Sequence, residues 1–298
     1  MEKIQAAIAK ARAERSGQPE PVVLQTAPQT ASADLAPLVL AAAARPAVAM
    51  ASDVASDVAS DVAAAWAALP GFAPDPRVLD DAHVVTYAGG AHAVAFDALR
   101  TKLVQQMRAN GWRRLAITSP GAGCGKSTVA LNLAFSLARQ PDLRTILAEM
   151  DLRRPSLAHT LHITQPLDFA RVLHGAAEFG DHALRCGANL AMALNQAAAR
   201  NPAELLASPT GIAALAEIEA RYAPDLMIFD MPPMLVTDDT MAFVGQVDCV
   251  LLVAAAEVST IKEIDICERD LAAQTNVLGV VLNKCRYMDQ GYGYGYYG

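Results

Sequence analysis

Along the C-terminal two-thirds of the chain, short apolar runs alternate with longer stretches in which apolar residues recur every three or four positions. The runs predict strands at Arg113–Ser119 (RRLAITS), Thr145–Asp151 (TILAEMD), Ala188–Leu194 (ANLAMAL), Asp225–Asp230 (DLMIFD), Cys249–Ala256 (CVLLVAAA) and Val277–Asn283 (VLGVVLN). Helical periodicity is found at Ala93–Asn110, Lys126–Arg139 and Gly211–Tyr222. Strands this short and this uniformly apolar are buried on both faces, and helices between them supply the covering layers. The fold class predicted is α/β, a mostly parallel sheet with helices on both faces.

The N-terminal third reads differently. Residues 1–16 predict a short helix with Ile4, Ile8 and Ala11 on one face, which suits either a docking helix or a solvated terminus. Residues 17–90 are rich in Ala, Pro, Ser and Asp and contain the repeat ASDVASDVASDV at Ala51–Val62. Such composition buries too little apolar surface to offset the entropy of ordering, which predicts a disordered, flexible linker. The domain is expected over 91–286, followed by a tail at 287–298.

The first strand runs into Ser119-Pro-Gly-Ala-Gly-Cys-Gly-Lys-Ser-Thr128, and a helix follows. A glycine-rich turn between strand and helix lets backbone N–H groups converge on phosphate oxygens at the positive end of the helix. Gly121, Ala122, Gly123, Cys124, Gly125, Lys126, Ser127 and Thr128 are therefore the candidate phosphate cradle of a P-loop NTPase. Lys126 is expected at the β- and γ-phosphates, and the Ser127 hydroxyl on Mg²⁺. Pro120 stands where the usual pattern begins with glycine.

Three acids at strand ends complete the candidate chemistry. Asp230 closes the run LMIFD, where it is expected to hold the hydrated metal with Ser127. Glu149 and Asp151 end another run two residues apart, which places them on one face of an extended strand. There they are expected to orient or deprotonate an attacking hydroxyl, with Asp151 also a metal ligand.

Composition narrows the classes. A net charge of −7 argues against a nucleic-acid partner. Five cysteines, widely spaced, form no disulfide or zinc pattern and fit a reducing cytoplasm. The N-terminus has no apolar signal core, and LAPLVLAAAA is shorter than the roughly 20 residues of a spanning helix.

Residues 93–298 resemble the bacterial tyrosine kinases of capsule and exopolysaccharide export, within the wider MinD/ParA partition-ATPase class. SPGAGCGKST, ILAEMDLRR, NPAELLASP, LMIFDMPP and VLGVVLNK carry the resemblance. Glu149 stands where the family has the first aspartate of its second motif, while Asp151 and Arg153 match. Partition ATPases usually place a signature lysine near the start of the loop, and Gly121 is here instead. The resemblance adds Arg153 to the catalytic set and makes Asn283 and Arg286 candidates for the adenine base. Val94-Ala-Phe-Asp97-Ala-Leu-Arg100 is similar to the family's ring-forming helix, with only Arg100 of three charges retained.

The tail RYMDQGYGYGYYG holds Tyr287, Tyr292, Tyr294, Tyr296 and Tyr297, five of the seven tyrosines. Glycine between aromatics disfavours helix or core and leaves the hydroxyls reachable. The expected activity is ATP- and Mg²⁺-dependent autophosphorylation of these tyrosines. The resemblance implies a membrane chain-length regulator (polysaccharide co-polymerase) as activator, a protein-tyrosine phosphatase, a homo-oligomer, and recruitment from the cytoplasm to the inner membrane face. An ATPase switch without kinase activity and a nucleotide-binding scaffold are the rival readings.

Overall fold

The computed structural model describes residues 59–285. The helix expected at 1–16, most of the linker, Arg286 and the five tail tyrosines lie outside the described residues.

Seven strands form one sheet in the order β3-β4-β2-β5-β1-β6-β7. They are β1 (Arg114–Thr118), β2 (Thr145–Glu149), β3 (Ala183–Cys186), β4 (Leu190–Ala193), β5 (Leu226–Asp230), β6 (Cys249–Ala255) and β7 (Asn276–Asn283). All pairings are parallel except β3 with β4. Along β1, Leu115 and Ile117 join the hydrophobic cluster on one side of the sheet and Ala116 the cluster on the other. This alternation, repeated in β2, β5 and β6, is why the central strands read as unbroken apolar runs.

The helices cover both faces, as expected. In chain order the α-helices are α1 (59–68), α2 (Pro76–Asp81), α3 (Val94–Asn110), α4 (Lys126–Ala138), α5 (Leu157–Thr160), α6 (Phe169–Leu173), α7 (Pro202–Leu206), α8 (Pro209–Tyr222), α9 (Asp239–Phe243) and α10 (Ile261–Ala272). Helix α3 ends on Gly111 in the left-handed conformation, and α10 begins with a full capping box between Thr260 and Glu263.

Two expectations need correction. Strand β3 was not foreseen: only four residues long, it carries Arg185 in its middle and pairs antiparallel to β4. The second concerns the expected linker. Its described part is packed onto the domain: Val62, Trp66 and Leu69 of the α1 segment are buried, as are Leu79 and Val84. The Trp66 indole donates to the Tyr222 carbonyl at 2.7 Å and meets its ring edge-on. Further on, Val85 N–H and the Thr86 hydroxyl bond the side chain and carbonyl of Asn132, a buried residue of α4. Averaged composition hides this strap because its few large side chains are spaced four and three apart among alanines. That spacing puts them on one helical stripe.

Trp66→Ala removes the largest apolar group of this strap, so the unfolding free energy should fall by about 3–5 kcal/mol. A urea denaturation midpoint lowered by less than a tenth would show that the strap contributes little.

Candidate functional site

Strand order creates the site. With β1 between β5 and β6, and β5 between β2 and β1, the strands carrying the loop Ser119–Gly125, Asp230 and Glu149 end side by side. A cleft of about 420 Å³ opens there, walled by the phosphate loop on one side. Arg153, Arg154, Val236 and Thr237 stand among its other walls.

The loop adopts backbone geometry that its glycines permit. Gly123 and Gly125 have φ of +75° and +91°. A Cβ on Gly125 would collide with the Asn283 amide, which donates to the Cys124 carbonyl at 3.0 Å. Ala122, Gly123, Gly125, Lys126, Ser127 and Thr128 line the cleft, whereas Gly121 and Cys124 do not. Cys124 is buried, with its sulfur 3.5 Å from the Ser259 hydroxyl. Asn283, expected at the base, braces the loop in this way, and its neighbour Lys284 lines the cleft.

Lys126 lies between two carboxylates, 3.0 Å from Asp151 and 4.0 Å from Asp230. Burial opposes its charge, but Asp230 and Asp151 outweigh that and raise its pKa. Asp230 is wholly buried, which raises its pKa; Lys126 acts in the opposite direction. Among the described residues neither carboxylate oxygen of Asp230 has a hydrogen-bond partner, although the Ser127 side chain is close. A buried carboxylate with both oxygens unused, beside a serine hydroxyl and a second acid, suits a hydrated divalent cation with hard oxygen ligands. The Ser127, Asp151 and Asp230 set therefore fits Mg²⁺.

Glu149 departs from expectation. It ends β2, Asp151 lies beyond the strand, and the Glu149 carboxylate is taken up by backbone donors. Glu149 Oε1 accepts from the N–H groups of Ser156 and Leu157 at 2.6 and 2.7 Å, and Oε2 accepts from Asn195 N–H at 2.9 Å. Its role is to tie the start of α5 and the end of β4 to β2, which holds the intervening loop of Asp151, Arg153 and Arg154. Burial pushes its pKa to about 7, against the lowering effect of the three backbone donors.

Arg153 binds Asp239 through both carboxylate oxygens, at 2.7 and 2.9 Å. Arg154, Thr237, Lys284 and Asp239 were not expected from sequence. The doubled Arg153-Arg154 and Asp238-Asp239 pairs were the only sequence signal for two of them.

The family model for the CobQ/CobB/MinD/ParA nucleotide binding domain matches residues 115–291. Tyrosine-protein kinase wzc of Salmonella typhi is 31% identical over 207 residues, 68% of this chain but only 28% of that protein. The chain thus spans little more than a quarter of this longer relative. Tyrosine-protein kinase CpsD of Streptococcus agalactiae is 29% identical over 209 residues, covering 68% of this chain and 88% of the relative. The kinase domain of Escherichia coli tyrosine kinase ETK superposes with a TM-score of 0.58 at 29% identity, over 69% of this chain and 80% of that domain.

Glu149 also predicts a pH dependence. Its folded pKa of about 7 exceeds the ordinary 4.5, so between those values the folded chain holds a proton that the unfolded chain has released. Stability from this group is present at low pH and lost as pH rises toward 7, by about 3 kcal/mol at most. The difference in urea stability between wild type and Glu149→Gln should shrink in that direction between pH 5.5 and 7.5. A pH-independent difference would contradict the assignment.

Proposed function

The chain belongs to the CobQ/CobB/MinD/ParA nucleotide-binding domain family, and from that membership we propose that it is an ATP-dependent protein-tyrosine kinase acting on its own C-terminal tyrosines. The observation that carries this reading is Lys126 set between Asp151 and the buried Asp230 in a cleft open to a second substrate. Likeness to relatives named tyrosine-protein kinases supports it.

The phosphate loop and the N-terminus of α4 bind the triphosphate of ATP. Lys126, held charged, turns from Asp151 to the β- and γ-phosphates as they enter. Asp151 is then free to take the phenolic proton of the incoming tyrosine. The tyrosine oxygen forms a bond to the γ-phosphorus, the bond from that phosphorus to the β–γ bridging oxygen breaks, and ADP leaves. Pro232, Pro233 and Val236 give the cleft an apolar wall on which the aromatic ring can rest. Ser127 and Asp230, with Asp151 nearby, would hold Mg²⁺, which when bound would supply charge neutralisation at the phosphates. Glu149 acts through the loop it anchors, and Asn283 through the phosphate loop. Arg286 remains a candidate base contact outside the described residues.

Tyr287, Tyr292, Tyr294, Tyr296 and Tyr297 are the proposed acceptors, on a neighbouring copy in a homo-oligomer. In the α3 helix, Asp97 pairs with Arg139 and Ser136, and Arg100 donates to the Ser136 carbonyl, so these charges are already met within the chain. Self-association on this reading uses other contacts. Each phosphate adds about 1.5–2 negative charges and drives tails apart. That gives a cycle for regulating exopolysaccharide or capsule polymerisation and export. A membrane chain-length regulator as activator, a protein-tyrosine phosphatase as its reverse, and action at the inner membrane face complete the proposal. No helix among the described residues is long and apolar enough to cross a membrane.

Mass spectrometry of the chain incubated with Mg-ATP should find phosphotyrosine only within residues 287–298. Lys126→Met should reduce it at least 100-fold, at the level of losing a principal phosphate contact. Removing the tail should abolish the signal and leave ATP hydrolysis intact. ATP turnover with no phosphotyrosine, alone or with a membrane activator, would leave an ATPase switch and end the kinase reading.

A further inference from the structure

The loop after β2 is joined to the start of α9 by a bidentate ion pair. Arg153 Nε donates to Asp239 Oδ2 at 2.7 Å, and Nη2 donates to Oδ1 at 2.9 Å. The two partners differ in setting. Asp239, the first residue of α9, is fully buried, whereas the Arg153 side chain is 43% exposed and lines the nucleotide cleft. A buried carboxylate is costly unless paired, and Arg153 is its only hydrogen-bond partner among the described residues.

A guanidinium held through Nε and one terminal nitrogen has a single orientation, because the group is planar and the contact bidentate. The other terminal nitrogen, Nη1, has no partner among the described residues. Asp239 is itself held in place: the Pro232 carbonyl accepts from Thr240, the next residue of α9, at 2.8 Å and from Thr118, at the end of β1, at 2.7 Å. The strand that feeds the phosphate loop is thereby linked to the acid that orients Arg153.

We propose that Asp239 is a positioning residue: it aims Nη1 of Arg153 at the terminal phosphoryl group of a bound nucleoside triphosphate, and so makes the cleft discriminate triphosphate from diphosphate. This rests on reading the cleft as a nucleotide site but not on the identity of the acceptor. The opposing features are the acid Glu204 and Asp238, whose carboxylate lies 3.7 Å from Nη2. The Asp238 side chain is 81% exposed and is therefore well screened by solvent.

Calorimetric titration of the whole chain with Mg-ADP and with a Mg-bound non-hydrolysable ATP analogue tests the idea. Wild type should favour the triphosphate. Arg153→Ala and Asp239→Asn should each weaken the triphosphate by about 10-fold, the loss of one charge-assisted hydrogen bond, and leave ADP within about twofold. The double variant should be no worse than Arg153→Ala, because Asp239 acts through Arg153. Added guanidinium should restore triphosphate binding to Arg153→Ala but not to the double variant, which lacks its seat. Should Asp239→Asn fold poorly, Arg153→Lys keeps the charge beside Asp239 but not the fork. It should show the same selective loss at an unchanged melting temperature.

Equal weakening of both nucleotides by Asp239→Asn, or additive losses in the double variant, would overturn the proposal and leave the pair a structural tie. Selective loss in a wild-type background that makes no phosphotyrosine would uphold it while the kinase reading fails. A wild-type chain that binds neither nucleotide would defeat both.

Discussion

A carboxylate buried at the end of a central strand cannot stay ionised without a cation beside it, and the functional half of this molecule is arranged around that constraint. Asp230 is wholly enclosed, with neither oxygen hydrogen-bonded among the described residues and one ammonium 4.0 Å away. Lys126 comes from the first turn of α4, so the requirement brings together the strand, the phosphate loop and the helix. Asp151 enters through the same ammonium, and its backbone N–H and that of Met150 bond the Asp230 carbonyl. The two acids and one lysine leave an excess of negative charge in a place sheltered from water. On the proposed reading the acids would hold a metal ion and the phosphates would take the lysine.

Supports outside the cleft give this arrangement its precision. Asn283 braces the phosphate loop from β7, Asn132 fastens α4 to the strap that precedes α3, and Glu149 fastens the Asp151 loop to β2 and β4. Each is a buried or half-buried polar group whose partners are mostly backbone N–H or C=O groups. Such groups hold main chain at fixed separations, which packing of apolar side chains alone does less specifically. The strap adds a further constraint, since Trp66 and Leu69 seal one sheet face while residues 83–86 reach the helix on the other.

Glu149 shows how a motif can be read correctly in outline and wrongly in role. Its position at the end of an apolar strand, two before a true site acid, suggested a shared face and a shared task. The strand ends at Glu149, however, and Asp151 lies beyond it, so the alternation that licensed the inference no longer applies. The extra methylene relative to aspartate lets the carboxylate reach two N–H groups at the start of α5. No spacing rule contains that reach, because the donors come from residues 156, 157 and 195.

Local pattern was enough for the α/β class, six of the seven strands, and the expectation that Lys126, Ser127 and Asp230 come together. Those features rest on local physics: unbroken apolar runs need two covered faces, and a loop of glycines between strand and helix needs phosphate to explain it. Only the tertiary structure decided that residues 59–90 belong to the domain, that β3 runs antiparallel, and that Glu149 and Asn283 brace loops. It also decided that Arg153 is oriented by Asp239, 86 residues away along the chain. In each case the deciding contact joins groups far apart in sequence, and the free energy of that contact has no local signature. A stripe of three side chains among alanines or a lone acid opening a short helix acquires meaning only when folding supplies its partner.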